Sequence, residues 1–280
     1  MATILSGNEV VKALNEKIKA QVAELGFAPT LAILRLGERG DDISYEKGAT
    51  KRCETLGIAV KNVIFPEDID EATVLAAIED LNNDSGVHGV LIFRPLPKQI
   101  DAEKVRSALS PAKDIDGITD GSLASVFAGT NYGFPPCTAK ACIEILDYFN
   151  LPTEGKKAVV IGRSLVVGKP VSLMLMNRNA TVTTCHTRTV DPAAIAREAD
   201  ILIVAAGVAG AVDASYLSAG QIVIDVGINV NDEGKLVGDV NFADADGIVE
   251  AITPVPGGVG TVTTSVLAAH VAEAAYRSTL

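Results

Sequence analysis

The sequence predicts an α/β protein with two domains, each built on a mostly parallel sheet with helices on its faces. Apolar, β-branched runs that suit buried strands alternate with segments of helical period along most of the chain. A strand that leads into a glycine turn and a helix start lies at 159–170. The glycine-rich segment 111–136 interrupts the alternation, and 280 residues are enough for two hydrophobic cores.

The N-terminal half is predicted to alternate helix and strand. Its periodicity gives helices over 8–24, 45–56 and 71–82, and strands over 30–36, 60–65 and 87–93. A polar loop is expected at 37–42, and prolines 95 and 97 end the third strand. Because parallel strands need long crossovers, this order predicts a parallel sheet. Segment 111–136 should hold loops around one short helix, and we place the domain junction near it.

The C-terminal half is predicted to form a small doubly wound sheet. Its strands are expected at 158–161, 181–185, 201–205 and 221–226, and its first and last helices at 139–149 and 264–277. Ligands of such sheets bind beyond the carboxyl ends of the strands. The residues that follow the four strands should therefore line one pocket.

The segment from Val159 to Pro170 is the most informative local motif. Gly162 and Gly168 let the backbone approach a phosphate closely, and Pro170 suits the first turn of a helix whose N-terminus attracts an anion. Ser164 stands where the common G-x-G-x-x-G motif has its second glycine. The motif is either a phosphate-binding turn or an ordinary strand-to-helix turn, and the agreement of four strand ends favours the first.

The residues after the second strand of this domain favour NADP over NAD. An NAD site usually places a carboxylate there for the ribose 2′-OH, but this chain has His186, Thr187 and Arg188. Arg163 and Arg188 offer charge for a 2′-phosphate, and Ser164 and Thr187 offer hydroxyl donors. Three alternatives stay open. The cofactor is NAD, the arginines are only surface charges, or the histidine only packs at the strand end.

Composition excludes several classes of function. With 35 acidic and 24 basic residues, the net charge of -11 argues against a nucleic-acid binder. No apolar run approaches a bilayer span, and the N-terminus lacks a basic segment before an apolar one, so we expect a soluble, cytoplasmic protein without membrane contact. The four cysteines and three histidines lack metal-ligand spacing, so reduced thiols and no metal site are expected.

Six sequence blocks carry a resemblance to a known family: KDIDG at 113–117, PCT at 136–138, VVIGRSLVVGKP at 159–170, DVGIN at 225–229, GKLVGDV at 234–240 and ITPVPGGVG at 252–260. In this order, and over almost the whole chain, they resemble the bifunctional methylenetetrahydrofolate dehydrogenase/cyclohydrolases of one-carbon metabolism. That family oxidises 5,10-methylenetetrahydrofolate with NADP and hydrolyses the resulting 5,10-methenyl cation to 10-formyltetrahydrofolate.

The resemblance implies two domains with a cleft between them. A folate-binding catalytic domain is expected over 1–138, completed by the C-terminal helix 264–280, and an NAD(P)-binding Rossmann domain over 139–263. It also implies tetrahydrofolate derivatives as ligands, a homodimer and a link to purine biosynthesis.

The resemblance assigns site residues as well. Tyr45 matches the folate-stacking tyrosine and Asp116 the pterin-binding aspartate. Without the resemblance, a tyrosine that opens a helix is more often a core or surface residue, and the aspartate could only cap the turn before Gly117. The substrate site is further expected to include Pro256, Gly257 and Gly258. The cofactor site is expected to contain Gly162, Arg163, Ser164, Val167, Gly168, His186, Thr187, Arg188, Ala206, Gly207 and Ile228.

The chain departs from the family at two positions that serve hydrolysis. Ala49 replaces a lysine one helical turn after the tyrosine, and Phe93 replaces a glutamine that controls the protonation of that lysine. Hydride transfer chiefly needs alignment of two rings, whereas hydrolysis needs an activated water and proton movement. We therefore expect dehydrogenase activity to survive and cyclohydrolase activity to be weak or absent.

Other readings stay open. A fully bifunctional enzyme would need Lys47, Lys51 or Arg94 to reach the site. The two lysines should point away from Tyr45 on an ideal helix, and Arg94 should face away from Phe93 unless the strand ends first. The remaining alternatives are another two-domain Rossmann dehydrogenase and a folate- or nucleotide-binding protein without turnover.

Overall fold

The computed structural model describes all 280 residues, and they divide into two compact units. Unit A comprises residues 13–137 and 264–280, and unit B comprises residues 1–12 and 138–263. The sequence places residues 1–12 in the first domain, but they belong to unit B because the first strand pairs with the last one. None of the helices combines the length and the apolar character needed to cross a bilayer.

The helices, numbered in chain order, are α1 (Gly7–Leu25), α2 (Gly40–Thr55), α3 (Glu71–Asn83), α4 (Ala102–Ala108), α5 (Asp120–Ala128), α6 (Cys137–Tyr148), α7 (Gly168–Met176), α8 (Pro192–Arg197), α9 (Phe242–Asp246) and α10 (Val259–Arg277). The strands are β1 (Thr3–Ile4), β2 (Thr30–Leu36), β3 (Ala59–Phe65), β4 (Gly89–Ile92), β5 (Lys157–Ile161), β6 (Thr181–Cys185), β7 (Ile201–Val204), β8 (Ile222–Asp225), β9 (Asn229–Val230), β10 (Leu236–Val237) and β11 (Ala251–Ile252).

Unit A contains a three-stranded parallel sheet in the order β3-β2-β4. The central strand β2 is apolar and almost wholly buried, as expected for a strand covered on both faces. Side chains of α3, including Val74 and Ile78, pack with β2 and β4 in one core cluster. The predicted parallel sheet of the N-terminal half is therefore confirmed.

Two boundaries in unit A differ from those predicted, and both affect the site. Helix α2 begins at Gly40 instead of 45, because Asp41 and Asp42 occupy its first turn, where carboxylates favour the positive end of the helix dipole. Strand β4 ends at Ile92 instead of Phe93. Tyr45 consequently lies inside a helix, and residues 93–97 form a loop.

Unit B contains a six-stranded parallel sheet in the order β1-β11-β8-β7-β5-β6. The chain leaves β5 for β6 on one side and returns to β7 on the other, so β5 and β7 flank a topological switch point. Strand β7 is fully buried, which agrees with helices on both faces. The predicted doubly wound sheet is therefore confirmed. All four cysteines of the chain are free thiols and buried.

Unit B also contains elements that the sequence did not predict. Strands β1 and β11 and the antiparallel pair β9–β10 have two residues each, which is too short for a periodic signal. The last helix begins at Val259 instead of 264, inside the glycine-rich loop.

Candidate functional site

A cavity of about 460 Å³ lies at the carboxyl ends of β5, β6 and β7, at the switch point of unit B. Doubly wound sheets bind their ligands at this place. The cavity brings together six of the predicted cofactor residues: Gly162, Arg163, Ser164, His186, Thr187 and Ala206. No carboxylate lines it, so nothing in its wall repels an anionic group.

The turn after β5 is shaped by two glycines. Gly162 has a φ of 120°, and a Cβ atom there would collide with the carbonyl oxygen of Ala205 at the end of β7. A Cβ atom on Gly168 would collide with the carbonyl oxygen of Gly162. The Val167 N–H donates to Ser164 Oγ at 3.1 Å, so the serine side chain closes the turn. Val167 and Gly168 thus shape the turn and do not line the cavity.

The segment after β6 is held by local hydrogen bonds. The Arg188 N–H donates to His186 Nδ1 at 3.1 Å, and the His186 N–H donates to Thr189 Oγ1 at 2.8 Å. Arg188 is exposed and does not line the cavity. Sequence reasoning missed Tyr216, which does line it, because this residue lies in a short 3-10 turn away from every strand end.

A second, smaller cavity of about 190 Å³ contains the predicted residues Pro256, Gly257 and Gly258. Ile228 lies here and not with the cofactor residues of the larger cavity. The Val255–Pro256 peptide bond is cis. The Gly7 N–H donates to the Gly257 carbonyl oxygen at 2.8 Å, which ties this loop to the start of α1.

Two buried aspartates that were not predicted as site residues hold the loops around these cavities. Asp225 accepts from the backbone N–H groups of Gly227, Asp239 and Val240, each at 3.0 Å. Burial raises the pKa of Asp225 to about 6, although these hydrogen bonds oppose the shift. Asp239 accepts from the N–H of Gly207 at 2.8 Å, which fixes this predicted cofactor residue.

The glycines near these aspartates are the feature of the sequence that could have indicated the role of Asp225 and Asp239. A Cβ atom on Gly238 would collide with the Asp225 carboxylate, and one on Gly227 would collide with that of Asp239. Two blocks of the resemblance, 225–229 and 234–240, are therefore joined by hydrogen bonds of the two carboxylates.

In unit A, Tyr45 and Phe93 form an aromatic pair. Tyr45 is 36% exposed, and its ring meets Phe93 edge-on with centroids 5.7 Å apart and an interplanar angle of 84°. Burial of the hydroxyl end, with smaller effects from Cys137 and Asp116, raises the pKa of Tyr45 well above its usual range. The residue is therefore a neutral phenol with a partly exposed aromatic face, which suits stacking against a planar ring.

Asp116 is paired with Arg94. Arg94 Nη2 lies 3.4 Å from Asp116 Oδ2, with the side chains 39% and 26% exposed. Burial raises the pKa of Asp116 to about 6, and the negative charge of Asp114 adds to this shift. The positive charge of Arg94 and the hydrogen bonds from Cys137 and Arg94 oppose the shift. Arg94 was expected to face away unless the strand ended first; β4 does end two residues before it, so strand alternation does not apply to Arg94.

The other two candidate cations do not join this site. Lys47 and Lys51 are exposed on α2, and neither forms an ion pair. Ala49 is fully buried and offers only a methyl group. Among the three basic residues considered, Arg94 alone contacts a predicted site residue.

Two family models match the chain. The model described as the catalytic domain of tetrahydrofolate dehydrogenase/cyclohydrolase matches residues 5–116. The model described as the NAD(P)-binding domain of the same family matches residues 136–279.

Individual relatives are similar over their full length. The chain is 48% identical over 279 residues to the "Bifunctional protein FolD" of Carboxydothermus hydrogenoformans, covering 98% of this chain and 97% of the relative. The crystal structure of the bifunctional FolD enzyme of Campylobacter jejuni has a TM-score of 0.96, with 36% identity and 99% of both chains covered. The Trypanosoma brucei dehydrogenase-cyclohydrolase, solved with NADP and an inhibitor, has a TM-score of 0.92, with 33% identity and coverage of 99% and 98%.

Proposed function

The chain belongs to the tetrahydrofolate dehydrogenase/cyclohydrolase family, and from this membership we propose that it oxidises 5,10-methylenetetrahydrofolate to the 5,10-methenyl cation with NADP as hydride acceptor. The observation that carries the proposal is the carboxylate-free cavity at the switch point of unit B, where Arg163, Ser164 and Thr187 supply one positive charge and two hydroxyl groups.

The residues of the larger cavity fit an NADP molecule. The turn at Gly162 leaves room where a side chain would collide with β7, and Arg163 offers a guanidinium for a phosphate. When bound, NADP supplies the carbon that accepts the hydride. The chain contributes binding and orientation, with Ser164 and Thr187 as hydroxyl donors at the cavity wall.

The residues of unit A suit the folate. Tyr45 offers an aromatic face for the pterin ring, and the Asp116 carboxylate offers an acceptor for its N–H donors. Loss of a hydride from the methylene carbon leaves a cation that the adjacent nitrogen lone pair stabilises, so the step requires alignment and no general base. The absence of a lysine at position 49 does not impair it.

Hydrolysis of the methenyl cation is a second candidate function. The relatives' names favour the bifunctional alternative over the expectation that hydrolysis is weak or absent. The contact between Arg94 and Asp116 also supports it, since a basic side chain lies next to the residue proposed to bind the pterin ring. Guanidinium stays protonated at neutral pH, so Arg94 would orient water or substrate and would not accept a proton.

Two rates measured on the same protein test these proposals. With 5,10-methylenetetrahydrofolate and NADP, NADPH should form, and faster than NADH forms from NAD. Methenyltetrahydrofolate should then decay faster with the protein than without it. Absence of any reduced cofactor would contradict the dehydrogenase; an unchanged decay rate would contradict the second function alone. The homodimer and the cytoplasmic location stay predictions.

A further inference from the structure

The loop that follows β4 carries a basic residue to the carboxylate of the candidate folate site. Arg94 lies two residues beyond the last residue of the strand, Ile92. Its neighbour Pro95 accepts a hydrogen bond at 3.1 Å through its carbonyl oxygen from Arg39, the residue that precedes α2. The loop is therefore held against the start of the helix that carries Tyr45.

Asp116 differs from its neighbour Asp114 in how its charge is compensated. The fully buried Asp114 carboxylate accepts two backbone N–H groups, from Ile118 at 3.0 Å and Thr119 at 2.7 Å, so it serves the fold of its own loop. Asp116 is instead part-exposed, and its ion pair is with Arg94. A positively charged partner favours the charged form of a carboxylate that lies next to a second carboxylate.

The charged and titratable groups that face Asp116 come from several elements. Arg94 reaches it from the loop after β4, Asp114 shares its own loop, and the Cys137 thiol lies at the start of α6. Tyr45 on α2 is a neutral phenol, and burial raises the pKa of Cys137 well above its usual range, so neither adds charge. His270 on α10 contacts Cys137 and the Ile115 carbonyl oxygen. The ion pair of the Asp116 carboxylate itself is with Arg94.

We propose that Arg94 is a positioning residue, which keeps the Asp116 carboxylate ionised and oriented to accept the N–H donors of the folate pterin ring. This inference rests on the proposed function. The contact joins Nη2 to Oδ2 only, and a carboxylate accepts several hydrogen bonds, so Asp116 keeps acceptor capacity for a ligand. The guanidinium takes no part in proton transfer.

Calorimetric titration with tetrahydrofolate over roughly pH 5 to 9 tests this role without turnover. In the wild-type protein, affinity should rise with pH through about 6, as Asp116 ionises. In Arg94→Gln, loss of the neighbouring positive charge should move this midpoint upward by about one pH unit or more. The Kd should therefore rise about twofold at pH 7 and about tenfold at pH 5, which lies below both midpoints.

Two further variants separate this role from general damage. Arg94→Lys keeps the charge and should keep the midpoint near that of the wild type. Lys98→Gln removes an exposed positive charge from the same loop, without an ion pair, and should leave affinity and midpoint unchanged. NADP binding by all three variants should match the wild type, because its proposed residues lie in unit B.

The outcomes distinguish this inference from the function on which it rests. An Arg94→Gln profile that coincides with that of Lys98→Gln would overturn the positioning role, even if the wild type is an active dehydrogenase. If the wild-type protein forms no NADPH but the midpoint of tetrahydrofolate binding shifts upward in Arg94→Gln and not in Lys98→Gln, the proposed function would be overturned and the role of Arg94 supported.

Discussion

The direction of the Arg94 side chain depends on whether strand β4 ends at Ile92 or one residue later. The sequence gives an apolar run up to Phe93, and alternation along a strand then places Arg94 opposite Phe93. Because β4 ends at Ile92, both residues lie in a loop, where Phe93 contacts Tyr45 and Arg94 contacts Asp116. Side-chain direction beyond a strand depends on tertiary contacts, which a periodic pattern does not contain.

Gly168 gives a prediction about the nucleotide turn. In Gly168→Ala, the new methyl group would collide with the Gly162 carbonyl oxygen, so the turn must shift. NADP affinity measured by calorimetry should fall about tenfold or more, and stability by about 1–3 kcal/mol. Gly247→Ala, where a methyl group meets open space in the same unit, is the matched control. Equal NADP affinities for the two variants would refute this account of the turn.

Positions 49 and 93 give a prediction about hydrolysis. The double variant Ala49→Lys with Phe93→Gln restores the residue types that the resemblance associates with this step. If the present chain hydrolyses methenyltetrahydrofolate through Arg94, the decay rate should change little. A rise of about 10²-fold or more, the scale of general acid–base help, would instead show that the natural residues had weakened the step. NADPH formation by the same variant serves as the internal control.

At the scale of elements, a buried ion pair fixes helix α2 to the sheet of unit A. Arg35 on β2 lies with Nε 2.7 Å from Glu46 Oε2, and the side chains are only 8% and 13% exposed. Arg35 also donates to the Gly37 carbonyl oxygen. Glu46 directly follows Tyr45, so this pair anchors the turn of α2 that carries Tyr45.

Removing one charge of this pair should therefore destabilise unit A. Glu46→Gln leaves a buried guanidinium without its counter-ion, which costs about 3 kcal/mol in comparable cases. Urea unfolding followed by circular dichroism should show a lower midpoint, and the KM for the folate should rise. Glu54→Gln, on an exposed position of the same helix without an ion pair, should behave as wild type. A Glu46→Gln midpoint equal to that of Glu54→Gln would contradict the role of the pair.

Helices and strands with a clear pattern of apolar residues could be predicted from the sequence. Elements that are stabilised by partners far along the chain could not. Strand β2 was predicted to its last residue, because six of its seven positions are apolar or β-branched and carry the signal. Strand β1 has two residues and exists because it pairs with β11, almost 250 residues away. The start of α2 was missed because Gly40, Asp41 and Asp42 resemble a polar loop, although the acidic pair favours a helix N-terminus.

In the whole molecule, the candidate residues for the two ligands of the proposed reaction lie in different units. The candidate folate residues Tyr45 and Asp116 belong to unit A, and the cavity that suits NADP belongs to unit B. The strand-end rule located that cavity from the sequence, whereas Tyr45 and Asp116 rested on the resemblance alone. Full-length relatives at 48% and 36% identity show that the family includes both units.

Hydride transfer from the folate to NADP defines the proposed dehydrogenase, and an isotope label follows that hydride. We would incubate the protein with NADP and 5,10-methylenetetrahydrofolate that carries deuterium at both methylene positions, and analyse both products by mass spectrometry. Direct transfer should leave one deuterium in the reduced NADP and one in the methenyl product. Reduced NADP without deuterium, or no reduced NADP from a protein that binds both ligands, would contradict it.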